Sequence, residues 1–223
     1  MSALLRYQAG ILFRSHRWIF PLILYVLLIS VGGVGGTEPL GVGLDWSAAM
    51  LLPTVALLTR SMLTAEPDAA RACVAAAAGP VRAQLAVLIA ALSGGVVLTL
   101  AGTGYELITD GGAKLAGAHP GLLATTVAAG LGKALICAFV GSAVGTFFNR
   151  PVIRHPAVAL LATIGAVVVG LVSSVSPASA ALRGSGAAVQ SGGWPTGAPF
   201  GVAVALLAIS WLVSARLAAR RSD

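Results

Sequence analysis

Long apolar stretches, each about the length needed to cross a bilayer, are the feature that most constrains this chain. A helix needs about 20 apolar residues to cross the hydrocarbon core, and six such stretches follow one another. They lie at about 18–34, 46–63, 85–104, 122–148, 157–175 and 200–217. Only 9% of the residues are charged, against about 25% in a soluble domain. We therefore expect an all-α membrane protein with six transmembrane helices in a single transmembrane domain, residues 1–223.

The positions of the basic residues predict the direction of these spans. With alternating spans, most of the arginines fall on one side of the membrane: Arg6, Arg14, Arg17, Arg60, Arg71, Arg82, Arg150, Arg154, Arg216, Arg220 and Arg221. The other side holds only Lys114 and Arg183, and Lys133 lies within the fourth span. Because cytoplasmic connections are enriched in Lys and Arg, both termini are expected in the cytoplasm. The net charge of +7 is thus explained by membrane orientation, and no nucleic-acid partner is expected.

The composition also indicates a cellular location. Arginine far outnumbers lysine, and alanine and glycine are abundant, which is typical of a GC-rich bacterial genome. The expected location is the bacterial plasma membrane, with the chain as a multi-pass protein. The first apolar run is long and no clear cleavage site of small residues follows it, so a cleaved signal peptide is not expected.

Residues 1–17 are predicted to form an interfacial amphipathic helix. At 100° per residue the apolar and basic residues separate, with Leu4, Leu5, Ile11 and Leu12 on one face and Arg6, Arg14 and Arg17 on the opposite side. Helices of this kind lie in the plane of the membrane. The alternative is a charged N-terminal tail without that structure.

The connection between the second and third spans, TAEPDAARACVAAAAGPVRAQ, predicts a short helix that does not cross the membrane. Pro67 suits a first helical turn, and Glu66 and Asp68 favour the positive N-terminal end of a helix. Alanine is the best helix former, and Gly79-Pro80 ends the segment. From the residues alone this helix is either a structured connection or a coupling helix that docks on a partner ATPase.

The predicted interfacial helix at the N-terminus, the six spans and the short capped helix between spans two and three together resemble the type-2 ABC transporter permeases, and this resemblance in architecture covers nearly the whole chain. In that family an acidic residue, a short helix and a proline followed by basic residues connect spans two and three. Glu66, Pro80 and Arg82 stand at these positions, although the run DAARACVAAAA departs from the family pattern. The segment YQAGILFRSHRWIFP is similar to the family's approach to span one.

The resemblance implies the membrane-spanning permease subunit of an ATP-driven ABC exporter. Such permeases pair with a second copy or a homologue, and each complex has two separate ATPase subunits, which bind ATP and Mg. Substrates in the family include drugs, antibiotics and lipids, so antibiotic resistance is one expected role. The ATPase-coupling segment would include Glu66, Asp68, Arg71, Pro80 and Arg82. The chain carries no G-x-x-x-x-G-K-[ST] phosphate loop, so we expect no enzyme activity and no cofactor in this chain.

Ionisable groups within the spans are the remaining candidates for function. Asp45 and Glu106 are placed at or near the outer edges, so no carboxylate is expected at mid-depth, which argues against a secondary transporter. Lys133 lies near the middle of the fourth span. It either faces an aqueous cavity, where it would meet an anionic or polar substrate, or snorkels outward or serves the structure.

Small residues and metal ligands complete the sequence predictions. Gly141 and Gly145 form a small-xxx-small pair in the fourth span, for packing within the subunit or between permeases. The histidines and cysteines are too scattered for a metal site.

The second class of protein that fits the sequence is an ATPase-free membrane immunity or sensor protein, and a secondary transporter is the third.

Overall fold

The computed structural model describes residues 2–32, 40–108, 120–148, 156–173, 176–183 and 197–220. Within these ranges the chain is built from helices joined by short turns, and no strand occurs there. The helices are α1 (Ser2–Ser15), α2 (Ile19–Gly32), α3 (Leu40–Leu63), α4 (Asp68–Ala78), α5 (Pro80–Ile108), α6 (Pro120–Phe147), α7 (Pro156–Val172), α8 (Pro177–Arg183) and α9 (Gly197–Ala219).

By length and composition, five segments could cross a membrane: Leu40–Leu63, Pro80–Ile108, Leu123–Phe147, Ala157–Arg183 and Gly197–Ala219. The fourth of these contains α7 and α8 and runs over residues 174–175, which lie outside the described residues. The prediction of an all-α multi-pass membrane protein is supported at this level. The number of six spans stays a prediction, because α2 has 14 described residues, or about 21 Å, against a core of about 30 Å. The predicted ends of the first span (33–34) and of the fifth (174–175) lie outside the described residues. Lys114, Arg150, Arg154 and Arg221 lie outside them as well.

The centre of the bundle is the interface between α3 and α6, the most extensive helix contact in the described structure. The two helices run in the same direction, since Leu44 lies against Gly130, Leu52 against Gly141 and Ala56 against Gly145. A Cβ atom added at Gly141 would stand 2.6 Å from the Leu52 carbonyl oxygen, and one added at Gly145 would stand 2.5 Å from that of Ala56. Glycine at these positions therefore allows the two backbones to touch.

Helices α2, α5 and α9 surround this pair, and apolar side chains fill the space between them. Leu51, Leu52, Val55 and Ile136 are fully buried in the central cluster. Tyr25 of α2 reaches inward, donating a hydrogen bond of 3.4 Å to the Ser47 carbonyl oxygen. The short helix α8 is wedged between α6, α7 and α9, with Ala178 and Ala181 fully buried. The packing is thus tightest around α3.

Helix α7 lies at the periphery and has few neighbours. It contacts α3, α6 and α8 only lightly, and bulky apolar side chains on it, such as Leu161 and Val172, are largely exposed. Exposed apolar side chains are expected where a helix faces lipid, because lipid tails are as apolar as leucine. This exposure is therefore compatible with a membrane surround.

Helix α1 is joined to α2 by a tight turn at His16. His16 has a φ of 54°, in the left-handed region that non-glycine residues rarely adopt. Its Nδ1 atom lies 3.0 Å from the Arg14 carbonyl oxygen. This turn allows α1 to fold back against α5 instead of continuing into α2.

Candidate functional site

One end of the bundle collects the arginines, and we call it the arginine-rich end. It comprises α1, the last turn of α3, residues 64–67, α4, the first turns of α5 and the last turns of α9. A buried hydrogen bond of 2.8 Å from Gln84 Nε2 to Ser214 Oγ joins α5 to α9 here. The described arginines at this end are Arg6, Arg14, Arg17, Arg60, Arg71, Arg82, Arg216 and Arg220.

Glu66 is held between α3 and α1. It is only 7% exposed, and its Oε1 atom accepts a hydrogen bond of 3.1 Å from the Tyr7 hydroxyl. Partial burial raises the pKa of Tyr7, and the hydrogen bond to Glu66 and the charge of that carboxylate raise it further. The phenol therefore remains a donor over the physiological range. The acidic residue predicted for ATPase coupling thus contacts α1 and is turned away from solvent.

Two arginines fasten the same connection to the backbone at the end of α3. Arg17 donates a hydrogen bond of 2.7 Å to the Thr64 carbonyl oxygen, and Arg71 donates one to the Leu63 carbonyl oxygen. These carbonyls end α3 and have no partner in the next helical turn, so the guanidinium groups satisfy them. Residues 64–67 are therefore tied to α1, α3 and α4 at once.

Helix α4 lies within the segment in which the sequence predicts a short helix. Pro67 precedes it, and Asp68 is its first residue. At the other end Gly79 takes a φ of 89°, and its N–H donates to the Ala75 carbonyl oxygen at 2.8 Å, after which Pro80 begins α5. A positive φ is a conformation that glycine adopts without strain, so Gly79 ends the helix and lets α5 start at a new angle.

One face of α4 is uncovered. The helix packs mainly against α5, and its exposed residues recur with helical spacing: Ala69, Ala72, Cys73, Ala76 and Ala77. Arg82 is exposed on the first turn of α5, and among the described residues no hydrogen bond or ion pair joins it to Glu66 or Arg71. The structure therefore brings Glu66 and Arg71 to the same connection, whereas Arg82 belongs to α5.

A buried ion pair joins the two central helices. Lys133 Nζ lies 2.5 Å from Asp45 Oδ1, and the two side chains are 5% and 25% exposed. Lys133 is midway along α6, whereas Asp45 is in the second turn of α3. The lysine is thus enclosed by the bundle and matched by a carboxylate. Gly141 and Gly145, about two and about three turns further along α6, face α3 of the same chain.

Sequence reasoning missed three of these contacts. The sequence places Asp45 at an outer edge with no partner, and it gives no sign that Tyr7 contacts Glu66 or that Gln84 contacts Ser214. The first contact has a signal in the sequence: Asp45 is the one acidic residue of α3 and Lys133 the one charged residue of α6, and an isolated charge in a span is costly. No comparable signal exists for the other two, since polar residues near helix ends are common.

Comparison with known proteins gives no relative, since no family model, curated protein or solved structure matches the chain. Among the described residues, no group of three or more His, Cys, Asp or Glu side chains could hold a metal ion. The arginine-rich end and the Asp45–Lys133 pair are therefore candidate sites on the basis of their geometry alone.

Proposed function

We propose that this chain is the membrane-spanning permease subunit of an ATP-driven ABC exporter, with α4 as the helix that a separate ATPase subunit contacts. Two ATPase subunits and two permeases, either copies of this chain or a pair with a homologue, would form the complex in the bacterial plasma membrane. Both termini would be cytoplasmic, and the substrate would be hydrophobic or amphipathic, such as a drug, antibiotic, peptide or lipid. ATP and Mg would be bound by the partner, and this chain would not be an enzyme.

The observation that carries this proposal is the way α4 is mounted. Its base is fastened by Tyr7–Glu66, Arg17–Thr64 and Arg71–Leu63, while the face containing Ala72 and Ala76 is uncovered. A connection that only joins two spans needs neither feature. A helix that transmits a partner's movement needs an uncovered face for the partner and a fastened base, because force is passed on only through groups that are attached to the bundle.

The contacts also indicate where a push on α4 would go. Helix α4 leads directly into α5 through Gly79, and residues 64–67 connect it to the end of α3 and to α1. Helix α3 is in turn packed along α6. A displacement of α4 would therefore act on α1, α3 and α5 together, which supports a role in coupling ATP hydrolysis to movement of the spans.

The first experiment is a pull-down of the tagged full chain from native membranes in mild detergents, with mass spectrometry of the proteins that follow it. The expected result is a near-stoichiometric partner that contains a phosphate-loop ATPase. A clean preparation without an ATPase in several detergents would contradict the proposal and favour the immunity or sensor protein.

Variants on α4 then test the docking surface. Ala72→Arg and Ala76→Arg place a bulky cation on the uncovered face and should abolish copurification of the ATPase. Exchange of the charges at Asp68 and Arg71 should weaken it while leaving membrane insertion intact. Ala3→Arg is the matched control, because Ala3 is an exposed alanine of α1 at the same end. Equal ATPase recovery from all these variants would remove α4 as the docking helix.

The Asp45–Lys133 pair favours a second candidate, an ion-coupled secondary transporter. Intramembrane ionisable pairs mark ion and proton pathways in many transporters, and the sequence prediction of a membrane interior without acids did not include this pair. The test is proton uptake into proteoliposomes that contain the chain alone, followed with a pH-sensitive dye under an imposed gradient. Uptake that is lost in Asp45→Asn would support this candidate against the ABC permease.

A further inference from the structure

The exposed side of α1 carries a stripe of arginines. Arg6, Gly10 and Arg14 are all exposed, and their spacing of four residues places them on one face of α1. The opposite side carries Gln8, which is 2% exposed, and Leu12, which packs against both apolar clusters of the bundle. Helix α1 is therefore held by one side and presents positive charge on the other.

Most arginines at this end have no anionic partner within the described structure. The guanidinium groups of Arg17 and Arg71 donate hydrogen bonds to backbone carbonyl oxygens. For five others, no ion pair or side-chain hydrogen bond to a described residue occurs: Arg6, Arg14, Arg82, Arg216 and Arg220. Glu66, the buried acid at this end, already accepts from Tyr7. The described part of the arginine-rich end thus holds positive charge that its own side chains do not balance.

Arg216 and Arg220 form a second short stripe near the stripe on α1. Arg216 is exposed in the last turn of α9, and Arg220 is exposed directly after the helix. The N–H of Arg220 still donates to the Arg216 carbonyl oxygen at 3.1 Å, so the helical spacing continues and the two arginines lie on one face. Both α1 and α9 contact α5. Leu12 of α1 and Trp211 of α9 also pack against one apolar cluster. The two stripes therefore flank the first turns of α5.

Apolar surface lies beside this charge. Leu4, Leu5 and Ile11 of α1 are only half-buried by the protein, and Leu212 of α9, one turn before Arg216, is 59% exposed. A ligand that covers both kinds of surface needs an anionic head next to an apolar body. Arginine binds phosphate oxygens through two parallel N–H donors, and basic segments next to spans attract anionic lipids.

We propose that these two stripes, Arg6 and Arg14 on α1 and Arg216 and Arg220 on α9, bind the phosphate groups of anionic phospholipids in the adjacent leaflet. The acyl chains lie against the half-buried leucines of α1 and the exposed flank of α9. A soluble acidic protein would neutralise the charge but would leave that apolar surface uncovered, so the lipid fits the described surface better. The inference does not depend on the proposed function, because it concerns the chain and the bilayer alone.

The test measures lipid retention by the full chain. The protein is delipidated in a neutral detergent and titrated with phosphatidylglycerol or, separately, with phosphatidylcholine, and bound lipids are counted by native mass spectrometry. Phosphatidylglycerol should bind more tightly and should be released by salt. Since a basic residue near an anionic surface contributes about 1 kcal/mol, or about fivefold, the double variant Arg6→Gln/Arg14→Gln should weaken its binding on the order of 30-fold. Arg216→Gln/Arg220→Gln should weaken it to a similar degree.

Two controls separate a lost lipid site from a lost fold. Arg6→Lys/Arg14→Lys keeps the charge and should retain most of the binding, and Arg183→Gln removes an arginine from the opposite end and should leave it unchanged. Helix content by circular dichroism should be equal in all variants. Equal affinity for the two lipids would overturn the proposal, as would phosphatidylglycerol binding that survives loss of both stripes. It would also be overturned if the Gln variants lost a copurifying acidic protein while their lipid retention stayed at the wild-type level.

Discussion

The α3–α6 interface and the arginine-rich end are built on opposite principles. At the interface the backbones touch at Gly141 and Gly145, a charge pair is enclosed, and side chains such as Leu52 and Val55 are fully buried. At the arginine-rich end, α4 is attached by a few polar contacts and one of its faces is uncovered. The same chain thus has a tightly packed centre and a lightly fastened end.

This difference separates stability from movement. Regions with many buried apolar contacts open only with the whole protein, whereas regions with few contacts open locally at low cost. Changes in α3 or α6 should therefore affect the unfolding of the whole bundle. Changes around Tyr7 and Glu66 should affect the position of α1 and α4 while the bundle remains folded.

The largest effect is expected at the buried ion pair, and it should be unequal for the two partners. Asp45→Leu leaves the lysine cation alone in a site where its side chain is 5% exposed, and breaking a buried pair costs about 3–5 kcal/mol. Lys133→Met leaves Asp45, which is 25% exposed and partly solvated, so the loss should be smaller. The free energy of unfolding in detergent measures both.

The double variant Asp45→Leu/Lys133→Met is the control for this prediction. Replacing a whole buried pair by apolar groups of similar volume is often close to neutral, so the double variant should be more stable than Asp45→Leu. If Lys133→Met lowers the free energy of unfolding more than Asp45→Leu does, the different burial of the two side chains does not explain the stability of the pair.

The next largest effect is expected where the backbones touch. Gly145→Val places a branched side chain against the Ala56 carbonyl oxygen and against Thr59, and overpacking of this kind costs about 1–3 kcal/mol or more. Gly165→Ala on α7 is the matched control, since nothing lies within 4 Å of an added Cβ there. It should be neutral or slightly stabilising, because alanine is the better helix former. Thermal unfolding measures both variants. If Gly145→Val and Gly165→Ala lowered the stability equally, α3 and α6 would not be in close contact.

A smaller effect is expected from the hydrogen bond that joins α5 to α9. Gln84→Ala should cost about 0.5–1.5 kcal/mol of unfolding free energy, with a further loss from the volume that it leaves. A double-mutant cycle with Ser214→Ala isolates the bond itself. Ser93→Ala is the control, because within the described part of the chain the Ser93 hydroxyl donates only to the Ala90 carbonyl oxygen of its own helix. A coupling energy of zero between Gln84 and Ser214 would show that this hydrogen bond does not contribute to stability.

The smallest effect on stability is expected at Tyr7, which is 41% exposed. Tyr7→Phe removes the donor to Glu66 and should loosen α1 without unfolding the bundle, as measured by faster hydrogen exchange in residues 2–15. The folded-state pKa of Tyr7 is raised, so its contribution is complete below the ordinary pKa of about 10 and is lost as the pH rises through the folded value. The wild type should therefore show faster exchange of α1 relative to α3 at strongly alkaline pH, and Tyr7→Phe should lack this step.

The sequence by itself determined the helical membrane character, the arginine-rich end and the short helix after Pro67. These follow from local properties: the length of apolar runs, the distribution of charge, and the effect of proline, alanine and glycine on the backbone. Which helices touch was decided only by the tertiary structure, because contacts such as Lys133–Asp45, Gln84–Ser214 and Tyr7–Glu66 join residues 88, 130 and 59 positions apart. Gly141 and Gly145 show the same limit of the sequence. Their spacing indicates close helix packing, but it does not indicate which helix they contact. That choice depends on how all the helices share one interior, and no single stretch of sequence contains it.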